Sequence, residues 1–73
     1  MREIYLALKD ILDERHMTRY MLSKQTGIQY HTVDKYYKNK VSKYDRSILE
    51  RFCTVLDCSI HDLIQMEEEK KET

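Results

Sequence analysis

Proline is absent from this 73-residue chain, glycine occurs once, at Gly27, and tryptophan not at all. A fold with many tight turns draws on proline and glycine, so their scarcity argues against a turn-rich β architecture and suits helices joined by short loops. Cysteine is nearly absent. Cys53 and Cys58 allow one disulfide at most, and the plainer reading is two thiols packed as small hydrophobes. No apolar run approaches the roughly 18 to 20 residues of a membrane span. The opening MREIYLALKD lacks the apolar stretch of a secretion signal, so a cytoplasmic location is expected. An excess of either charge is missing too, because 13 cations meet 13 acids.

That cancellation hides a segregation. Between Thr18 and Lys43 the cations are Arg19, Lys24, Lys35, Lys38, Lys40 and Lys43, against the single acid Asp34. The remaining chain carries seven cations and twelve acids. A chain neutral overall can therefore present a focused positive face to a polyanion.

Periodicity places the elements. Ile4, Leu8, Ile11 and Leu12, with Arg15 closing the stripe, share one face of a 3.6-residue repeat and predict a first helix over residues 3–15. Thr18 is a side-chain cap for a second helix over residues 19–26. Gly27 supplies the positive φ that closes it, with Ile28 following as a buried anchor. A third helix over residues 30–38 buries Val33 and Tyr36. The short connection between helices two and three is the length of a helix-turn-helix unit. Asp45 opens a fourth helix whose stripe is Ile48, Leu49, Phe52, Cys53 and Leu56. Ser59 with Asp62 forms a capping-box variant that opens a fifth. The expected core is Leu8, Ile11, Leu12, Leu22, Ile28, Val33, Tyr36, Leu49, Phe52, Cys53, Leu56, Leu63 and Ile64. The expected domain spans residues 1–66, and residues 67–73 read as an acidic helix end or frayed tail.

The stretch MTRYMLSKQTGIQYHTVDKYYKNKV resembles the helix-turn-helix of the phage repressor and Cro class of regulators, the XRE-like family. Thr18, Leu22, Ser23, Gly27, Ile28 and Val33 occupy the family's cap, inward and turn positions. Downstream, ILERFCTVLDCSIHDLI is similar to the last two helices of a compact bacterial subgroup, so the likeness runs over about residues 4–65. It implies an all-α, five-helix, lambda-repressor-like domain that binds double-stranded DNA as a small transcriptional regulator, expected to be a repressor. Carried over by residue, the base-reading positions fall on Tyr30, His31 and Lys35, with Thr32 and Gln29 secondary. Thr18, Arg19, Gln29, Asn39, Lys40 and Lys43 are the expected phosphate contacts. Ser23 stands where the family often has alanine, and its hydroxyl is expected to bond a carbonyl one turn back. Asn39 stands where the family often turns on glycine, and can take the left-handed conformation itself.

On the recognition helix, Lys35 can donate to guanine O6 and N7, and Tyr30 can meet a thymine methyl. His31 can donate to an acceptor edge, better when protonated. Asp34 has two readings, accepting from cytosine N4 or holding Lys38 as an i,i+4 pair. Cys58 and His61 have the spacing of a zinc ligand pair, but Cys53 lies on an apolar stripe and no metal is expected. Nothing suggests an orienting third group for a nucleophile, so no catalytic residue and no cofactor or small-molecule ligand is expected. The expected partners are DNA and a weakly associated second copy that pairs on DNA, with no membrane involved. The competing reading is a protein-interaction domain that keeps the fold without DNA, since net charge is zero and the recognition helix has no arginine.

Overall fold

A computed structural model describes residues 2–68. In chain order the elements are β1 (Arg2–Leu6), α1 (Leu8–Glu14), α2 (Arg19–Thr26), α3 (Tyr30–Tyr37), α4 (Arg46–Leu56), α5 (Ile60–Leu63) and β2 (Ile64–Glu68). Five helices enclose the core, and β1 and β2 pair as a small antiparallel ribbon with Ile4 opposite Met66 and Leu6 opposite Ile64.

The ribbon corrects the reading of the chain's two ends. The first helix begins at Leu8, not at residue 3, and the preceding residues are extended. Ile4 and Leu6 satisfy a two-residue repeat as readily as Ile4 and Leu8 satisfy a helical one. A β-branched and an aromatic residue in REIYL suit a strand once a partner is supplied. That partner is β2, which takes over where α5 stops after four residues, and the backbone of Ile64 is already extended at φ −102° and ψ 124°. The consequence for packing is that Leu6 is buried at 2% exposure while Ile4 stands 52% exposed. Glu67 and Glu68 belong to β2, and the rest of the expected tail lies outside the described residues.

Elsewhere local signals set the boundaries. The Thr18 hydroxyl accepts from the Met21 amide at 3.1 Å, and Gly27 closes α2 at φ 77°. Asp45 accepts from the Ser47 amide at 2.9 Å to open α4, and Asp57 ends that helix in the left-handed region at φ 53°. Ser59 and Asp62 make the reciprocal capping box of α5.

The core comprises Leu6, Leu8, Ile11, Leu12, Leu22, Ile28, Val33, Tyr36, Phe52, Leu56 and Leu63. Leu49, Cys53 and Ile64, expected inside, pack half-buried against it. Each large side chain contributes about 1.5 to 3 kcal/mol on burial, which opposes the entropy lost on ordering the chain. Tyr36 meets Phe52 edge to face, with ring centroids 5.6 Å apart, and its hydroxyl accepts from the Asp45 amide at 2.9 Å. Among the described residues no helix is long and apolar enough to cross a membrane.

Candidate nucleic-acid interface

The turn between α2 and α3 is closed by side chains that substitute for missing backbone bonds. The Thr26 hydroxyl donates to the Leu22 carbonyl at 2.7 Å and accepts from the Ile28 amide at 3.2 Å. Ser23 donates to the Ile28 carbonyl at 2.6 Å. The hydroxyl thus reaches forward across the turn, where a bond one turn back was expected. Gly27, left-handed at φ 77°, turns the chain back and bonds the Ser23 carbonyl through its amide at 2.9 Å, which brings the Ile28 carbonyl within reach of the Ser23 hydroxyl. These bonds pin the residue that enters α3, and Leu22, Val33 and Tyr36 fix the inner faces of both helices in the core.

With Val33 and Tyr36 turned inward, α3 presents Tyr30, His31 and Lys35 to solvent, with Tyr30 at 44% exposure. Gln29 is exposed at the N-cap position, and its side chain makes no capping bond. Thr32 is half-buried. Lys35, Lys40 and Lys43 are exposed and form no ion pair among the described residues. Thr18 caps the start of α2, and the amides of the next two residues lack intrahelical partners, as at any helix start.

Two expected phosphate contacts have structural partners. The side-chain amide of Asn39 accepts from the Leu6 amide at 2.7 Å and donates to the Leu6 carbonyl at 3.1 Å. Its backbone is left-handed at φ 57°, which aims the side chain at β1. Arg19, at the first position of α2, pairs with Asp34 of α3 and lies over the Tyr37 ring at 4.4 Å from the centroid. Asp34 also holds Lys38, at 3.2 Å. Burial alone would raise the carboxyl pKa, but hydrogen bonds from Lys38 and Arg19 more than reverse this and hold it below its ordinary 3.8. The hydrogen bond to Asp34 raises the Arg19 pKa in turn.

The double grip on Arg19 was not read from the sequence. The i,i+4 spacing announced only the Asp34–Lys38 pair, whereas Asp34 and Tyr37 reach Arg19 only because α3 packs against α2. Lys24 over Tyr20, 5.6 Å from the centroid, adds a second cation–ring contact, within α2. At the other end of the domain, burial first and the neighbouring Cys53 second push the Cys58 thiol pKa up. No group of three His, Cys, Asp or Glu among the described residues is placed to hold a metal ion.

Residues 7–69 match a family model described as the Cro/C1-type HTH DNA-binding domain. No curated protein matches the chain. Among solved structures, the chain is similar to a protein from Bacteroides fragilis provisionally assigned as DNA-binding, at 24% identity and TM-score 0.75, over 86% of this chain and 100% of that one. It is similar also to the transcriptional regulator VanUg, at 25% identity and TM-score 0.74, over 93% of this chain and 89% of that one.

Proposed function

The chain belongs to the Cro/C1-type helix-turn-helix DNA-binding family, and on that premise we propose that it binds double-stranded DNA sequence-specifically as a small transcriptional repressor. The observation that carries this reading is the outer arc of α3. It exposes Tyr30, His31 and Lys35 on a helix whose inner face is locked in the core. An α-helix with its side chains is about 10 to 12 Å across, which fits a major groove about 12 Å wide.

In this arrangement α3 enters the groove by its N-terminal end. Lys35 donates to guanine O6 and N7, His31 donates to an acceptor edge, Tyr30 packs on a thymine methyl and Thr32 reads at the margin. Thr18 and Arg19 meet phosphates at the start of α2, where the free amides also point outward. Gln29, Lys40 and Lys43 meet them around α3. Asn39 contributes by tying this loop to β1. A second copy joins on the DNA, reading a half-site one helical turn away, roughly 34 to 36 Å.

Selection of an operator from a random duplex library tests the proposal, followed by titration of wild type and the Lys35→Glu/Lys40→Glu variant. The charge reversal is expected to weaken operator binding roughly a hundredfold or more. An unchanged affinity would overturn the assignment of this face. Repression is checked by placing the selected operator over a promoter, where transcription should fall when the protein is present. A tight dimer in sedimentation without DNA would contradict a second copy that joins only on the DNA.

A further inference from the structure

The grip on Arg19 bears on how the proposed complex discriminates, and the inference below rests on the DNA-binding reading. Arg19 stands at the start of α2, where a phosphate would be met. Its flexible side chain is nevertheless fixed by α3, because Asp34 holds one edge of the guanidinium and Tyr37 carries its face. A guanidinium has five N–H donors, and a single hydrogen bond from this group, to Asp34, is made among the described residues. The other donors remain for a phosphate oxygen. Lys38 is drawn to the same carboxylate from the far side. Asp34 is thus the least exposed member of a three-charge chain, its side chain 23% exposed beside 33% for Arg19 and 52% for Lys38.

Such a carboxylate has two opposed effects on a polyanion. Its negative charge subtracts from the attraction that every DNA sequence feels. Its grip places the phosphate anchor in a fixed position relative to the base-reading side chains on α3, with Tyr30 and His31 one turn before Asp34 and Lys35 next to it. We infer that Asp34 is a specificity-determining positioning residue, acting through Arg19, which lowers sequence-independent affinity and fixes the register in which Tyr30, His31 and Lys35 meet the bases. Arg19 then contributes fully only where the phosphate arrives in the place that α3 dictates.

The test compares wild type with Asp34→Asn, Asp34→Glu and the Arg19→Ala/Asp34→Asn double variant. Each is titrated against a mixed-sequence duplex and against the selected operator between 50 and 200 mM salt, on the order of the range where phosphate contacts dominate. Asp34→Asn is expected to bind mixed-sequence duplex more tightly at low salt, with the slope of log K against log salt steeper by about one. The preference for operator over mixed sequence should fall roughly fivefold or more, the scale of one mismatched base pair. Asp34→Glu should restore the shallow slope, and the double variant should show less of the gain because the released cation is gone. A purely structural role would weaken both duplexes in parallel, with slope and preference unchanged, and that result overturns the inference. So would an Asp34→Asn slope and preference equal to wild type. Wild type that binds neither duplex at the lowest salt removes the DNA-binding reading and this inference together, which separates the two failures.

Discussion

The turn between α2 and α3 is shaped by hydrogen bonds spanning two to five residues, among Leu22, Ser23, Thr26 and Ile28. β1 is attached by two bonds that Leu6 exchanges with the side chain of Asn39, 33 residues away, and by the Tyr44 hydroxyl, which donates to the Ile4 carbonyl 40 residues away at 3.5 Å. Short-range bonds close small loops at small entropic cost, whereas the ribbon forms only when most of the chain is already in place. The reading unit is therefore the part that persists when the rest loosens, and the ribbon is the part expected to open first.

Substitutions in each region sharpen that contrast. Leu22, fully buried under the turn, supports both helices of the reading unit, and Leu22→Ala is expected to cost about 2 to 5 kcal/mol in a denaturant titration, enough to threaten the whole fold. Asn39→Ala should cost about 1 to 3 kcal/mol through the lost bonds and the left-handed backbone. Asn39→Gly should recover the backbone part alone. In both Asn39 variants the Leu6 amide should exchange its hydrogen faster while the α2 and α3 amides stay protected. Equal loss of protection in both regions would break the contrast. Thr18→Ala removes one cap and should cost about 1 kcal/mol, confined to α2.

The acid limb gives a smaller effect. Asp34 titrates lower in the folded chain than its ordinary value, so its pairing stabilises the fold fully above the unfolded pKa of about 3.9 and is lost as pH falls through the lowered folded value. The stability difference between wild type and Asp34→Asn should be constant above about pH 5 and shrink below about pH 4. Smallest of all, Ile4→Ala on the exposed ribbon should change stability by no more than about 0.5 kcal/mol.

The same contrast explains what was legible in the sequence. Thr18, Gly27, Asp45 and the Ser59–Asp62 box announce helix ends through local chemistry, and α2 and the start of α3 lie where those residues put them. The ribbon was hidden because REIYL fits two periods and its partner strand begins 58 residues later, at Ile64. Leu6 was missed from the core for that reason, and Ile4 was assigned to a first helical turn that is strand instead. At the interface, the outward positions of Tyr30, His31 and Lys35 followed from the inward ones of Val33 and Tyr36. The partners of Arg19 and Asn39 did not, because Tyr37, Asp34 and Leu6 come near them only through tertiary packing.

Fluorescence-anisotropy titration of the wild-type chain with mixed-sequence duplex, at about 50 and about 200 mM salt, tests the central claim most directly. The account predicts binding at the lower salt that weakens by orders of magnitude at the higher, as phosphate contacts from Arg19, Lys40 and Lys43 require. Absence of binding at the lower salt, or affinity indifferent to salt, would contradict it and leave a protein-interaction domain on this fold as the better reading.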